Sequence, residues 1–507
     1  MRRVSARASL HLCLPDHHLG EHTLGKKLIS SNRVKHLMSK ICLVFPNVFL
    51  GNYMRLDIPL HPPLGLAYLA AVLRQVGHEI MVIDAAAENL SLPGLITRLT
   101  AFHPDIIGIT TNISLSRKAM MTARYIRKFL GHVPIIMGGP WATIEHEKVL
   151  KSKIADYVVL GEGEQTIVEL LENWNDTVKI SGVKGVAFMD DSGSIVNTGP
   201  RDCIMDLDSL PFPAWDLFPP SKKYNFQHRK VPFYPIMTSR GCPYDCIYCT
   251  KVVHGYKYRE RSVENIIQEI CYLKEKFGIK ELFIIDDNFN QDIGRAEKIL
   301  DEIIRNKFNL LLKFTNGIRA DRISPRLGRK MKASGTYFAA LGIESGNQEI
   351  VNKLGKKLDL KKVITATRIL KDNKIISGGF FILGLPYDSY ETMVETLNFA
   401  KSLDLDFPHF FKAIPFPGTK MYDMIVQHGH FIEGSKASAE ESYVINAVNF
   451  EIWNLKNSDI EKAFRLAYKW FYLRPRKILS IFGQLTSIHD LWWAITEFIK
   501  LILKNLV

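Results

Sequence analysis

Three cysteines lie within one short segment: Cys242, Cys246 and Cys249. The apolar run before them reads as a strand, so all three thiols should lie in one loop at its C-terminal end. Four thiolates would close an iron–sulfur cube, whereas three leave one iron with an open coordination position, which a catalytic metal site needs. A zinc knuckle is the alternative and would need a fourth ligand, for which His254 is the nearby choice. The spacing favours a 4Fe-4S cluster.

The other four cysteines stand alone: Cys13, Cys42, Cys203 and Cys271. Seven cysteines in 507 residues, three of them in one loop, do not form a disulfide framework. Isolated buried cysteine behaves as a small hydrophobic residue, so we assign these four no function. The sequence shows no signal-peptide pattern and no uncharged apolar run of about eighteen residues, and we expect a cytoplasmic location.

The net charge of +14 is concentrated at the two ends of the chain. Residues 1–38 hold seven Lys and Arg against two acids, and residues 452–507 hold nine against four. Each end therefore carries a surplus of five positive charges, and the middle of the chain is nearly balanced. A nucleic-acid-binding domain would carry its basic residues on the working part. We therefore expect no nucleic-acid partner.

Short apolar strands alternate with helical patterns in the first part of the chain. The predicted strands are 40–46, 79–84, 106–111, 134–139 and 157–161, with helices such as 64–76 and 116–130 between them. This alternation is typical of a doubly wound parallel sheet, a Rossmann-like α/β domain. A hairpin at 190–193 and a proline-rich stretch at 210–215 close it. We place a basic unstructured extension at 1–38, this domain at 39–200 and a linker at 201–230.

A second series of strands follows the linker, and each strand precedes a helical pattern. The predicted strands are 233–239, 281–286, 313–318, 337–344, 376–386 and 407–416. The first helix of this series should begin after the N-cap Ser262 and stop at Gly278. Six βα units predict a partial (β/α)6 barrel at 231–425, with functional groups at the C-terminal ends of its strands.

The motifs that follow these strands resemble those of the radical S-adenosylmethionine (SAM) superfamily. The three-cysteine loop, with Tyr248 before its last cysteine, resembles the signature of that family. The later motifs are Asp286-Asp-Asn-Phe289, Gly342-Ile-Glu-Ser-Gly346, Gly384-Leu-Pro386 and Pro415-Phe-Pro-Gly-Thr419. The resemblance covers residues 233 to about 425. It implies that the open iron binds the amino and carboxylate groups of SAM, whose one-electron cleavage yields a 5′-deoxyadenosyl radical.

The SAM contacts are assigned by matching these motifs residue by residue. The resemblance implies Tyr248 on the adenine, Glu344 and Ser345 at the ribose, Asp286 and Asp287 at the amino group, and Gly384 and Pro386 beside the ligand. A glycine allows the backbone to pass close to a ligand because it has no Cβ. Each polar residue has a structural alternative as a strand-end cap or a loop brace.

The first domain resembles the cobalamin-binding domain that precedes the barrel in one branch of this superfamily. The resemblance rests on residues 62–70 at the first helix, on Gly138 and Gly139 after the fourth strand, and on Gly161 and Gly163 after the fifth. Ligands of parallel sheets bind at the carboxyl ends of the strands, where these glycines fall. We therefore predict that the four glycines contact cobalamin. A domain without a cofactor is the alternative.

The cobalt is expected to lack a protein ligand. Better-known cobalamin modules carry an Asp-x-His-x-x-Gly loop after the first strand, and residues 47–62 contain no such pattern. The similar run 16–20 has the wrong spacing and precedes the first strand. His61 lies in the right loop, but it has prolines around it and no evident partner to orient its ring.

The end of the chain, 426–507, is predicted to be helical. Apolar residues are spaced along 459–473, and a second apolar pattern covers 485–506. Asp490 and Glu497 make this second pattern too charged for a membrane span. We favour a helix that packs on the barrel or covers a substrate entrance, and peripheral contact with a membrane surface is the alternative.

The resemblance implies an enzyme that uses a 4Fe-4S cluster, SAM and cobalamin. Its implied reaction is methylation of an unactivated carbon, or a phosphorus, in a small-molecule or lipid substrate, through methylcobalamin and the 5′-deoxyadenosyl radical. A cobalamin-dependent cyclase, oxidoreductase or rearrangement enzyme would have the same motifs. An RNA-modifying relative would bring a further cysteine-bearing domain and a small basic β domain, and this sequence shows neither. A non-catalytic cobalamin-binding protein would not need the three-cysteine loop. A flavodoxin or ferredoxin is the expected electron donor.

Overall fold

The computed structural model describes residues 38–48, 60–174, 176–225, 227–432 and 448–471. Two parallel sheets account for the two predicted α/β parts. The predicted extension at 1–38, apart from Met38, and the second C-terminal pattern at 485–506 lie outside the described residues.

The first sheet has seven strands. They are β1 (Lys40–Phe45), β2 (Glu79–Asp84), β3 (Ile106–Thr110), β4 (Ile135–Gly138), β5 (Tyr157–Val159), β6 (Val186–Met189) and β7 (Ile195–Asn197). Their order is β2-β1-β3-β4-β5-β6-β7. The first five strands pair in parallel, and β6 and β7 add an antiparallel hairpin at one edge. The doubly wound sheet and the hairpin at 190–193 are both confirmed.

Helices cover both faces of this sheet. They are α1 (Leu64–Gln75), α2 (Leu92–Phe102), α3 (Ser116–Phe129), α4 (Pro140–Ile144), α5 (His146–Lys151), α6 (Gly163–Glu172) and α7 (Thr177–Ile180). Alternate residues of β1 enter different cores: Ile41 and Leu43 pack in one, and Cys42 and Val44 in the other. A strand buried on both faces reads as a continuous apolar run, which is why this domain was predictable.

The second sheet has six parallel strands in the order β15-β14-β13-β12-β11-β8. They are β8 (Phe233–Ile236), β11 (Glu281–Ile284), β12 (Leu311–Ile318), β13 (Thr336–Glu344), β14 (Ile376–Leu383) and β15 (Phe407–Lys412). A short antiparallel ribbon of β9 (Ser239–Arg240) and β10 (Arg259–Glu260) follows β8. Because β8 and β15 are the two edges and do not pair, the barrel is open, as predicted.

The helices of the barrel lie outside this sheet. They are α8 (Val263–Phe277), α9 (Ile293–Arg305), α10 (Pro325–Ala333), α11 (Gln348–Lys353), α12 (Leu360–Asp372), α13 (Tyr390–Ser402) and α14 (Lys420–His428). The predicted limits of α8 are confirmed: the Ser262 hydroxyl accepts a hydrogen bond from the Asn265 N–H, and Gly278 ends the helix with φ 62°.

The carboxyl ends of the first sheet meet the inner face of the barrel's β8 edge. A small core joins Ala86, Ala87 and Leu115 of the first domain to Phe233 and Phe283 of the barrel. The residues that follow β2 and β3 are therefore packed against β8 and β11 of the barrel.

The C-terminal part contains a hairpin as well as a helix. Strands β16 (Gly429–Phe431) and β17 (Phe450–Ile452) pair in antiparallel fashion, and α15 (Asn457–Phe471) follows. The helix was predicted, whereas strands of three residues are too short to show a period in the sequence. Helix α15 packs on the barrel: the Phe471 ring lies 5.0 Å from that of Phe410, centroid to centroid. In the described part of the chain, no helix has the length and apolar character to cross a membrane.

Candidate active site

The three-cysteine loop begins after β9, where its two ends lie close together. Gly241 has φ 82°, and a Cβ there would lie 2.3 Å from the carbonyl oxygen of Lys257, where the chain returns from the loop. The Gly241 N–H donates to Asp287 Oδ2 at 2.9 Å. Only glycine fits such a close approach in this backbone region. These contacts of Gly241 hold the loop at the C-terminal end of the strand, as predicted.

The three thiols influence one another. Burial and the neighbouring thiols of Cys246 and Cys242 raise the pKa of Cys249 to about 12. Burial also raises the pKa of Cys246. Thiols with raised pKa values become thiolates beside strong positive charge, which bound iron supplies. This donor set therefore fits a 4Fe-4S cluster with three cysteine ligands.

His254, which follows the three cysteines, contacts the first domain. Its Nδ1 lies 3.0 Å from Glu162 Oε1, a residue of the first domain. This contact ties the segment that follows the three cysteines to the first domain.

Two of the predicted SAM contacts are joined by a lysine. Lys356 Nζ donates to Glu344 Oε1 at 2.8 Å and lies 3.3 Å from the Tyr248 hydroxyl. Glu344 is 8 % exposed and has φ 70°, an unfavourable backbone region for a residue with a side chain. Burial, together with the Glu344 carboxylate, raises the pKa of Tyr248 well above its ordinary value. Sequence analysis missed Lys356 because it belongs to none of the motifs.

The other residues of the predicted SAM site form braces in the structure. The Ser345 hydroxyl lies 3.2 Å from the Thr396 hydroxyl and is fully buried. Asp286 is also buried, and its carboxylate accepts hydrogen bonds from the Thr238 N–H, at 2.6 Å, and from the Thr238 and Ser239 hydroxyls. These contacts tie the end of β11 to the end of β8. SAM contact by Asp286 and Ser345 stays a prediction, and their observed contacts match the bracing alternative.

The Gly-Leu-Pro turn after β14 is held from two sides. Asp388 accepts hydrogen bonds from the N–H groups of Gly384, at 3.2 Å, and Leu385, at 2.9 Å, and burial raises its pKa to about 7. Gly384 has φ 87°, and a Cβ there would lie 2.6 Å from the Ile460 side chain of α15. Pro386 is buried in the same turn. The turn is therefore fixed in position at the strand ends, and its contact with SAM stays a prediction.

The four glycines assigned to cobalamin lie at the carboxyl ends of β4 and β5. Gly139 has φ 95°, and a Cβ there would lie 2.4 Å from the Thr111 carbonyl oxygen. A Cβ on Gly161 would lie 3.6 Å from the Val252 carbonyl oxygen, just beyond the cysteine loop. A Cβ on Gly138 would face Val159, and a Cβ on Gly163 would face both Val159 and Leu69. These close contacts are made by protein atoms, so contact with cobalamin stays a prediction.

The strand order of the sheet defines where a ligand is expected to bind. In this order β1 lies between β2 and β3. The chain therefore leaves the carboxyl end of β1 toward one edge of the sheet and leaves the carboxyl end of β3 toward the other edge. Ligands of doubly wound sheets bind at such a switch point. His61 lies near the end of the connection from β1 to α1 and is exposed, with its Nδ1 3.1 Å from the Pro62 carbonyl oxygen. The glycine-rich ends of β4 and β5 lie at the same edge of the sheet as this switch point.

Glu162, between two of these glycines, joins the two domains. Its carboxylate oxygens accept hydrogen bonds from the Arg259 guanidinium at 2.9 Å each, and Oε2 also accepts from the Ile204 N–H at 2.8 Å. Arg240, two residues before the first cysteine, donates to Glu164 Oε1 at 2.7 Å. We call Glu162, Glu164, Arg240 and Arg259 the interdomain clasp. Sequence analysis assigned functions to the glycines of this motif and missed the glutamates.

Two family models match the chain in the expected order. The B12 binding domain matches residues 59–171, and the radical SAM superfamily matches residues 236–400. Together they cover β2 to β5 of the first sheet, with the four glycines, and most of the barrel, including the cysteine loop.

Three relatives are similar to this chain over most of its length. An uncharacterized methyltransferase of Pyrococcus horikoshii is 32 % identical over 422 residues, which are 83 % of this chain and 89 % of that protein. The cytidylyl-2-hydroxyethylphosphonate methyltransferase of Streptomyces wedmorensis is 27 % identical, over 81 % and 86 % of the two chains. The anaerobic magnesium-protoporphyrin IX monomethyl ester cyclase of Rubrivivax gelatinosus is 26 % identical, over 71 % and 66 %.

A solved structure has the same fold. The radical SAM methyltransferase TsrM of Kitasatospora setae, with cobalamin and a [4Fe-4S] cluster bound, superposes with a TM-score of 0.67 at 18 % identity, over 87 % of this chain and 90 % of that one. The cysteine loop, the switch point of the first sheet and the length of the matches all support the same family. The chain therefore belongs to the radical SAM superfamily, as a member with a B12-binding domain, and its cofactors are a 4Fe-4S cluster, SAM and cobalamin.

Proposed function

We propose that this enzyme transfers a methyl group from cobalamin to an unactivated carbon, or a phosphorus, of a small-molecule or lipid substrate. The cluster and SAM together supply the radical that activates the substrate, and cobalamin carries the methyl group. The observation that carries the proposal is the packing of the two domains. Gly161 at the end of β5 lies beside Val252, next to the cysteine loop, and this contact supports cobalamin and SAM sites that are neighbours.

The residues of the chain have separate roles in this proposal. Cys242, Cys246 and Cys249 hold the cluster, while Lys356 and Glu344 orient SAM above it. The interdomain clasp keeps the cobalamin cleft at a constant distance from the cysteine loop, which matters because a methyl group can only be transferred between groups held in contact.

Relatives of both reaction types support the architecture. A phosphonate methyltransferase and a porphyrin cyclase both align with this chain, and the shared motifs do not separate the two reactions. Methyl transfer is favoured because the relative that is 32 % identical over most of its length is called a methyltransferase. Ring closure or rearrangement is the second candidate function.

The proposed partners are a small-molecule or lipid substrate and a one-electron donor such as flavodoxin or ferredoxin. The proposed location is the cytoplasm, where the donor and reduced thiols occur together. Peripheral membrane contact by 485–506 remains a proposal about residues outside the described ones.

The test uses anaerobically reconstituted protein with cobalamin, dithionite and SAM labelled in its methyl group. Candidate substrates come from the genomic neighbourhood, and products are analysed by mass spectrometry. Label in the product supports methyl transfer. An unlabelled new product, formed together with 5′-deoxyadenosine, would instead support cyclisation or rearrangement. If the protein bound no cobalamin, methyl transfer would be excluded for this chain.

A further inference from the structure

The inner face of the barrel has an aromatic surface over its last two strands, β14 and β15. Phe380 pairs in register with His409, and Ile382 pairs with Phe411. The Phe380 ring lies 5.7 Å from the His409 ring and 6.0 Å from the Phe411 ring, centroid to centroid. These side chains share one face of the sheet, since alternate residues of a strand point to the same side. We call Phe380, His409 and Phe411 the aromatic wall.

The aromatic wall lies on the opposite face of the sheet from the helices. Phe410, between His409 and Phe411, is 5 % exposed and packs on Phe471 of α15. Phe411 points the other way and is 47 % exposed. In a closed eightfold barrel the inward-facing side chains fill the interior. Here the inward-facing Phe411 is accessible, so this part of the inner face can receive a ligand.

The aromatic wall begins beside the ion pair of Glu344 and Lys356. Gly342 of β13 is the register neighbour of Phe380. A Cβ on Gly342 would lie 3.2 Å from Glu344 Oε1 and 3.2 Å from Lys356 Nζ. Neighbouring strands lie about 4.8 Å apart, so the distance from Gly342 through Phe380 to His409 is about 10 Å. The wall therefore runs from the predicted SAM site to the β15 edge of the barrel.

His409 places a polar ring within this apolar surface. Among the described residues, its ring contacts Phe380 and makes no hydrogen bond. Burial, and to a smaller extent the charge of Lys313, lower the pKa of His409. Lys313 is itself held away from the wall, because its Nζ donates to the Gln227 carbonyl oxygen at 2.8 Å. At pH 7.5 the imidazole is therefore neutral, and it can donate or accept a hydrogen bond without offering a charge.

We propose that the aromatic wall binds the substrate, and that the substrate has an apolar ring system with one uncharged polar atom hydrogen-bonded to His409. This inference deepens the proposed function and rests on it, because the carbon to be methylated must lie beside the SAM and cobalamin sites. Aromatic side chains favour rings, through stacking and through burial of apolar area. A neutral imidazole satisfies a hydroxyl or carbonyl group, whereas it gives no counter-charge to a carboxylate or phosphate. This chemistry favours a carbon centre over a charged phosphorus group.

The test measures binding without turnover, so its result is separate from the test of methyl transfer. Three probes share one ring system and differ in one group: 2-naphthol, naphthalene and 2-naphthoate. Their dissociation constants are measured by anaerobic equilibrium dialysis against the reconstituted holoenzyme, with SAM present and no reductant. We expect 2-naphthol to bind about 3- to 10-fold more tightly than naphthalene, because one hydrogen bond is added. The anionic 2-naphthoate should bind most weakly.

Variants of the wall separate the hydrogen bond from the apolar contact. His409→Phe should weaken 2-naphthol binding about 3- to 10-fold and leave naphthalene binding unchanged. His409→Gln keeps a hydrogen-bonding group and should retain part of the preference for 2-naphthol. Phe411→Ala should weaken the binding of both 2-naphthol and naphthalene. The control His132→Phe replaces an exposed histidine of the first domain and should change neither, with the same iron content in every protein.

Phe411→Ala keeps the test decisive if His409→Phe folds poorly, because Phe411 is half exposed and its loss opens no cavity in the core. Equal affinities of the unaltered protein for 2-naphthol and naphthalene would overturn the role of His409, and tighter binding of 2-naphthoate would overturn the uncharged substrate. Unchanged binding in Phe411→Ala, or no binding of any probe, would overturn the wall as the substrate site. If the probe preferences held but no label reached any product, the proposed methyl transfer would fail and the binding site would stand.

Discussion

Glu162 and Arg259 form a two-point ion pair across the boundary between the two domains, with both oxygen–nitrogen distances at 2.9 Å. Their side chains are 4 % and 0 % exposed. Burial alone would raise the pKa of Glu162, but His254, Arg259 and Arg240 hold it well below its usual range. The carboxylate is therefore charged at all physiological pH values, and it fixes the cobalamin domain to the strand that follows the cysteine loop.

Replacing Glu162 with Gln should strongly destabilise the protein. The neutral amide leaves the guanidinium of Arg259 buried without a counter-charge, which costs about 3–5 kcal/mol. The midpoint of urea unfolding should fall clearly. As a matched control, Glu169→Gln removes the partly exposed partner of Arg201 and should cost about 0–1 kcal/mol. Similar midpoints for the two variants would show that the clasp does not hold the domains together.

Removal of the three cysteine thiols should abolish the cluster. The triple variant Cys242→Ala/Cys246→Ala/Cys249→Ala should lose nearly all iron and sulfide after anaerobic reconstitution, whereas the unaltered chain should hold about one cluster. Cys203→Ala is the control, because Cys203 lies beside the same loop, with its Sγ 3.7 Å from the His254 carbonyl oxygen, yet outside the motif. Cluster retained in the triple variant would remove the basis of the cluster assignment.

Lys356→Met should weaken SAM binding about tenfold or more. The substitution removes the cation that joins Glu344 to Tyr248, and it leaves the Glu344 carboxylate buried without its partner. Equilibrium binding of SAM to the reconstituted protein measures this effect without any substrate. Lys353→Met is the control: its ion pair with Glu349 is at the surface, and SAM affinity should not change. Equal affinities for all three proteins would place SAM away from Glu344.

The cobalt of the bound cobalamin should have no histidine ligand. The paramagnetic resonance spectrum of bound cob(II)alamin should lack strong axial nitrogen splitting, and His61→Ala should leave the spectrum unchanged. In a separate variant, Gly139→Val should reduce cobalamin binding because the new side chain must displace the Thr111 backbone, while iron content stays the same. A nitrogen splitting that disappears in His61→Ala would show that the ligation prediction is wrong.

Asp84 should make stability depend on pH. Burial is the main reason that the pKa of Asp84 rises to about 6, and the charge of Glu88 adds to the rise. Hydrogen bonds from the Ala87 N–H and the Tyr224 hydroxyl lower the pKa of Asp84 in part. A raised carboxyl pKa means that the folded state keeps a proton that the unfolded state loses, so the protein loses stability as pH rises through about 4 to 6. Between about pH 5 and pH 7.5, the unaltered chain should lose about 1 kcal/mol relative to Asp84→Asn. Urea unfolding at the two pH values measures the difference, and parallel changes in the two proteins would contradict it.

The sequence by itself determined the two sheets and the cluster loop. Apolar strands such as 40–46 alternate with amphipathic helices, and that alternation is a local pattern that needs no tertiary contact to be visible. The three cysteines are likewise close in the chain, so their proximity in space follows from one short loop. The order of the later motifs then indicated a SAM site at the strand ends.

Only the tertiary structure decided which side chains meet at that site. Lys356 reaches Tyr248 across 108 positions, and Glu162 reaches Arg259 across 97. Asp286 belongs to a motif, yet its carboxylate is used by Thr238 and Ser239 on the neighbouring strand. Contacts of this range depend on how strands are ordered and how the two domains pack, and the period of a strand or helix carries no information about either.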